Sequence, residues 1–232
     1  MTTTISPIGS ELLDQPGCPD RLVRTALREI GVANALFGGR AAAAWGVDQL
    51  LPAVPGRPLS LLDLGAGCGD ISLHLVRRAR ARGVVINPIA LDRHREAARL
   101  CRDGDLSAVV ADAWALPFAD RSVDIVVASQ LLHHFSRESG AELVRALDRI
   151  ARVGVVVADL YRARAAQAGI WIASIALGFH RVTRQDGVTS VRRGFTPAEL
   201  SRLLLSAGVR GVVARRPGYR VVAAWRASHA HG

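Results

Sequence analysis

Three acids and a run of glycines carry the first chemical signal in this chain. Residues 61–70 read Leu-Leu-Asp-Leu-Gly-Ala-Gly-Cys-Gly-Asp, with glycines at 65, 67 and 69 behind Asp63. Glycines at that spacing strip side chains from a turn, so a nucleotide-like ligand can approach the backbone. Asp92 and Asp112 follow at the ends of two later apolar runs. A carboxylate at Asp92 can accept both hydroxyls of a ribose. The Asp112-Ala113 step can offer a carboxylate to an adenine amino group and a backbone N–H to a ring nitrogen. A dinucleotide fingerprint of the G-x-G-x-x-G type needs glycine at position 70, where this chain has Asp70. Further along, His133 and His134 are adjacent, and Asp159 closes the next apolar run. A histidine beside an orienting carboxylate suits general-base chemistry. Neighbours in sequence point in different directions, so one of the two histidines is expected to enter a pocket.

Such residues must be brought together by a scaffold, and the pattern around them supplies one. Strands are expected at Leu61–Leu64, Val84–Leu91, Ala108–Ala111, Val123–Ala128 and Val153–Ala158. Helical periodicity runs through Asp70–Arg82, Arg95–Arg102 and Glu138–Arg152. Strands alternating with helices imply parallel pairing with right-handed crossovers. In such a sheet ligands bind beyond the carboxyl ends of the strands, where the three acids fall. Thr196-Pro-Ala-Glu199 is a capping box with proline at the first helical position, opening a helix to about Ser206. Val212–Ala214 and Arg220–Trp225 then read as a hairpin that adds an antiparallel strand. The expected fold is therefore α/β: a Rossmann-like, doubly wound, seven-stranded sheet, mostly parallel, with one antiparallel strand near the C-terminus. N-terminal helices (Arg21–Ile30 and about Ala41–Leu51, broken near Gly38-Gly39) precede it. Pro52, Pro55 and Pro58 mark a hinge, which divides residues 1–58 from a main domain at 59–232. Within that domain, about 161–195 reads as a cap insert. Its apolar segment Ala168–Phe179 is expected to be a buried lid whose Trp171 and Ile175 line a substrate pocket; a membrane-surface helix with basic flanks is the competing reading.

Composition sets the outer bounds. At 232 residues, half of them hydrophobic, the chain can bury a substantial core. No apolar run reaches the roughly 18 residues of a membrane span, and Met1-Thr-Thr-Thr lacks a signal-peptide layout. Cytoplasmic location without stable membrane insertion is the expectation. Cys18, Cys68 and Cys101 are scattered, which supports neither a disulfide framework nor a metal site. The net charge of +10 invites a nucleic-acid partner. However, all 30 basic residues are arginine and lie dispersed along the chain. The densest group, Arg77 to Arg82, falls at a helix end, where cations suit the dipole. No nucleic-acid partner is expected.

The ordered motifs resemble the class I S-adenosylmethionine (SAM) dependent methyltransferases, in particular the ubiquinone/menaquinone C-methyltransferase-like group. The matching pieces are Leu62-Asp-Leu-Gly-Ala-Gly-Cys-Gly69, Ala90-Leu-Asp92, Ala111-Asp-Ala-Trp-Ala-Leu-Pro-Phe118, Asp120-Arg-Ser-Val-Asp-Ile-Val-Val127 and Leu131-Leu-His-His-Phe135. The segments Val32–Arg40 and Val182–Thr196 are similar to actinobacterial methyltransferases associated with polyketide pathways. The resemblance implies SAM as cofactor. Asp63, Gly65, Ala66 and Gly67 would hold its methionine side, Asp92 with Arg93 the ribose, Asp112 and Ala113 the adenine, with Gln130 near the sulfonium. Arg40 is a candidate for the methionine carboxylate, since an arginine fork suits it.

The function this points to is methyl transfer to oxygen or carbon of a small hydrophobic aromatic, polyketide or quinone-like acceptor. His133 is the candidate base, Asp159 its orienting partner, and His134 a substrate contact. The alternatives are an RNA methyltransferase, a non-catalytic SAM-binding protein and a nicotinamide oxidoreductase. The first is disfavoured because Ser129-Gln-Leu-Leu-His-His stands where base-amine methylating enzymes carry Asn/Asp-Pro-Pro-Tyr/Phe. The last is disfavoured by Asp70. Monomer and homodimer remain open.

Overall fold

The computed structural model describes Glu11, Leu13, residues 17–51 and residues 56–228. The expected hinge at Pro52 and Pro55 lies outside the described residues. The strands are β1 (Leu59–Leu64), β2 (Ile86–Asp92), β3 (Ser107–Val110), β4 (Val123–Ser129), β5 (Ala151–Leu160), β6 (Val212–Arg216) and β7 (Arg220–Arg226). They form one seven-stranded sheet in the order β3-β2-β1-β4-β5-β7-β6. Pairing is parallel from β3 through β5. β7 runs antiparallel to both β5 and β6, as the hairpin reading expects. Strand order reverses direction between β1 and β4, and a crevice opens at that switch point.

Both faces of the sheet are covered, so its central strands are apolar on both sides; β4 is buried at every position. The helices are α1 (Asp20–Leu36), α2 (Gly39–Asp48), α3 (Asp70–Arg80), α4 (Arg95–Asp103), α5 (Arg137–Ile150), α6 (Arg164–Ala176), α7 (Arg181–Arg193) and α8 (Pro197–Ser206). On one face, Leu61, Ile125, Val127 and Val156 pack against α2 and α3. On the other, Leu62, Val126, Val155 and Val157 pack against Leu143, Leu147 and Ile150 of α5 and Leu200 and Leu203 of α8. α8 opens with the expected capping box: Thr196 Oγ1 accepts the Glu199 N–H, and the Glu199 carboxylate accepts the Thr196 N–H.

Several boundaries differ from the sequence reading, and three of them have a local reason. The helix expected to Arg152 ends at Ile150, because Ala151 and Arg152 already belong to β5. That strand extends through Leu160, so Asp159 is paired within it, opposite Val221. The helix expected to Arg82 ends at Arg80, but Arg78 and Arg82 both reach Asp48 at 2.6 Å. That pairing ties part of the basic group to a local acid. The cap insert contains two helices, α6 and α7, of which only the first was apparent. α6 does not match the expected buried lid. Trp171, Ile172, Ile175 and Leu177 are exposed, and its buried residues are Ala166 and Ser174.

Candidate active site

A cavity of about 630 Å³ lies over the carboxyl ends of β1, β2, β4 and β5. Its size suits a cofactor and a small acceptor together. One end is the glycine turn. Gly65 has φ +73°, and a Cβ there would sit 3.1 Å from Leu131 Cδ1. Gly69, at φ +76°, caps α3, and a Cβ there would meet Leu106 at 2.5 Å. These two positions need glycine, one for a close approach and one for helix entry.

The expected cofactor residues converge on this end. Asp63, Gly65, Ala66, Gly67, Asp92, Arg93, Asp112, Ala113 and Gln130 all line the cavity. Asp92 Oδ2 accepts the Gly67 N–H at 3.0 Å and Oδ1 the His94 N–H at 2.9 Å. This fixes the carboxylate at the end of β2, and each oxygen keeps a second lone pair for a hydroxyl. Asp112 Oδ1 is held by the Trp114 N–H at 2.9 Å. Trp114 stands edge-on to Phe135, with ring centroids 5.5 Å apart, beside it. Asp63 is a supporting residue rather than an exposed ligand. It is fully buried, takes the Ser72 hydroxyl at 2.7 Å, and burial pushes its carboxyl up to about 7.

Gln130 adopts φ +52°, a left-handed conformation that is uncommon for a residue with a Cβ. Its N–H bonds to Ala158 O at 2.8 Å, and its side-chain amide donates to Asn34 Oδ1. Contacts from β5 and α1 thus hold this backbone in place at the crevice.

The other end of the cavity holds the histidines. His133 sits in a 3-10 turn, Leu132–His134, after β4, and is buried. Its Nδ1 lies 2.7 Å from Asp159 Oδ1, and its backbone N–H donates to Asp159 Oδ2 at 3.2 Å. Among the described residues its buried Nε2 has no hydrogen-bond partner; Glu11 Oε1 lies 3.5 Å away, within ion-pair reach. Burial alone would drive the proton off His133. The Asp159 and Glu11 carboxylates outweigh it and push the imidazole up to about 10. Burial moves Asp159 up, and His133, the Leu160 N–H and His134 together move it down further, so it sits below its ordinary value. His134 also lines the cavity. Trp171 and Ile175 do not: they face outward, and Ile170, Ser174 and Phe179 take the wall positions expected of them.

Several lining residues escaped the sequence reading. Glu11 accepts the Ser190 hydroxyl at 2.8 Å and lies 3.4 Å from the buried Arg193 guanidinium. Ligand atoms of Glu11, His133 and His134 lie within 4.8 Å of one another, a spacing a metal ion can bridge. The Arg193 cation already beside Glu11 opposes a second one there. Thr183, Asp186 and Ser190 present one face of α7 to the cavity. Arg220 is buried and lines it too, donating Nε to Phe37 O at 3.0 Å while Nη1 has no partner among the described residues. Arg40, the expected carboxylate fork, is committed instead to Asp70 at 2.9 Å and to Gly31 O.

A doubly wound sheet with a glycine turn and acids at successive strand ends is the arrangement expected of a class I SAM-dependent methyltransferase, and comparison with known proteins supports that class. Residues 61–154 match the family model described as Methyltransferase domain. The ubiquinone/menaquinone biosynthesis C-methyltransferase UbiE of Dinoroseobacter shibae is 32% identical over 145 residues, spanning 58% of this chain and 56% of that protein. The match thus covers about half the length of this curated relative. Among solved structures, a SAM-dependent methyltransferase from Aquifex aeolicus superposes with a TM-score of 0.59 at 16% identity, covering 88% of this chain and 98% of that one. Magnesium protoporphyrin IX methyltransferase from Synechocystis PCC 6803, crystallised with bound SAM, gives 0.53 at 14%, covering 94% and 88%. At these identities the structures show the shared fold. Together they show a Methyltransferase domain at residues 61–154 on a Rossmann-like fold, and they support a class I SAM-dependent methyltransferase.

Proposed function

We propose that the chain transfers a methyl group from SAM to an oxygen or carbon of a small hydrophobic aromatic, polyketide or quinone-like acceptor. The observation that carries this reading is His133. It is buried in the same cavity as the glycine turn, its Nδ1 is fixed by Asp159, and its Nε2 has no hydrogen-bond partner among the described residues. The name of the UbiE relative, a quinone-pathway C-methyltransferase, supports a ring acceptor.

SAM, when bound, supplies an electrophilic methyl group, so little covalent work falls to the protein. The backbone at Gly65, Ala66 and Gly67 would cradle the methionine side, and the unpartnered Nη1 of Arg220 is the better candidate for its carboxylate. Asp92 and Arg93 would take the ribose, Asp112 and Ala113 the adenine. Gln130 marks the passage to the acceptor side. There His133 Nε2 removes the acceptor's hydroxyl or ring proton, while Asp159 holds the ring and stabilises its charge. Leu131, Phe135, Ile170 and Phe179 wall the space with apolar surface that excludes water. The segment 161–195 contributes Ile170 and Phe179 to this wall as a cap, and His134 contacts the acceptor.

The test is transfer of labelled methyl from SAM across a panel of phenols, hydroxyquinones and RNA. Label in a small ring compound supports the reading. Label in RNA, or SAM binding with no transfer to any member, overturns it.

A further inference from the structure

One helix of the cap has two apolar sides. The inner side of α6, through Ala166, Ile170 and Ser174, lines the cavity. The outer side exposes Trp171 at 43%, Ile172 at 65%, Ile175 at 50% and Leu177 at 42%. Side chains of this size are rarely left together in water without a partner surface. The charge around them is one-sided. From Arg162 to Arg193 the chain holds six arginines and a single acid, the buried Asp186; Arg193 is buried beside Glu11 and Arg162 pairs with Glu199, which leaves Arg164, Arg181, Arg184 and Arg192. Exposed Arg164 opens α6, and exposed His180 and Arg181 follow its end. Arg184 lies over the Trp171 ring, 5.5 Å from its centroid.

We propose that the α6–α7 hairpin docks on the surface of an anionic phospholipid bilayer. Trp171, Ile172, Ile175 and Leu177 would enter the headgroup boundary while the exposed Arg164, Arg181 and Arg192 meet lipid phosphates. Among the described residues no helix is long and apolar enough to cross a membrane, so the contact is interfacial. The charge selects the occupant. A second copy would bring the same arginines and a net charge of +10 against them, whereas anionic lipid neutralises them. Docking places the bilayer one helix thickness, roughly 10 Å, from the cavity. If the acceptor is apolar, as proposed above, it can pass between lipid and cavity without crossing water; this consequence alone rests on that reading.

The experiment is co-sedimentation of the full chain with vesicles of phosphatidylcholine alone or mixed with phosphatidylglycerol. Binding is expected to the mixed vesicles only, and salt should weaken it. The double variant Ile172→Ser, Leu177→Ser should bind on the order of tenfold more weakly. Arg164→Gln with Arg181→Gln should lose the preference for anionic lipid. Both pairs are exposed, and calorimetric SAM affinity equal to wild type confirms an intact fold. No binding by the wild type, or equal binding by the serine variant, overturns the proposal. So does a dimer in solution that the serine variant dissolves while vesicles have no effect. Methyl transfer to a water-soluble aromatic acceptor without vesicles reports separately on the catalytic reading.

Discussion

Asp159 grips His133 twice, taking the ring at Nδ1 (2.7 Å) and the backbone N–H (3.2 Å) with its two oxygens. Ring orientation and loop position are thereby set by one buried carboxylate at the end of β5. Glu11 faces the other ring nitrogen from the N-terminal side.

The double carboxylate environment predicts a pH dependence. A base must be neutral to act, and His133 is pushed up to about 10. The rate at limiting acceptor should therefore rise with pH from neutral toward that value. Glu11→Gln removes one of the two carboxylates and should move this limb to lower pH, as kcat/KM profiles of the two proteins would show. Stability runs the other way. The folded value lies above the ordinary 6.5, so the His133 contribution is full below pH 6.5 and is lost as pH rises through about 10. Asp159 is held below its ordinary 3.8, so its contribution is present above that value and lost as pH falls further.

Asp92 ties the glycine turn to β2 through the Gly67 N–H. Asp92→Ala should weaken SAM binding by about 10- to 100-fold, a lost charge-assisted bond plus a misplaced loop. Titration calorimetry with SAM measures it, and unchanged affinity would remove Asp92 from the cofactor site.

Asp63 is buried and pushed up to about 7, chiefly by burial. Its contribution is present below the ordinary 3.8 and lost as pH rises through about 7. Asp63→Asn keeps an acceptor for the Ser72 hydroxyl without the charge. Its thermal midpoint should equal or exceed that of wild type above pH 7, with the gain disappearing near pH 4.

Asp124, also buried, accepts from Arg57, Arg152 and Ser60 and is held well below the usual carboxylate range. Both arginines are about half exposed, so water can replace their partner. Asp124→Ala should therefore cost only about 1–3 kcal/mol in urea unfolding.

The motifs legible in the sequence are those whose parts are close along the chain. Asp63 with the glycines, Asp92, Asp112 and the Thr196 capping box each announce themselves within a few residues, and strand alternation orders them. Asp159 is legible as well, closing the apolar run after His133; the other partner of His133 and the partner of Gln130 are not. Glu11 reaches His133, and Asn34 reaches Gln130, only through tertiary folding, and nothing local marks either as a site residue. Arg220 reads as an ordinary strand residue until Phe37 is seen beside it. The cap misled for another reason. Ala168–Phe179 is apolar on nearly every side, so periodicity could not say whether Trp171 or Ile170 faces inward.

The central claim is that His133 acts in methyl transfer, and single-turnover kinetics of His133→Gln tests it most directly. SAM affinity should stay within about threefold of wild type, since the ring lies beyond the cofactor end of the cavity. The transfer rate to the identified acceptor should fall about 10²- to 10⁴-fold. An unchanged rate with normal SAM binding would contradict the account and leave His133 a packing residue.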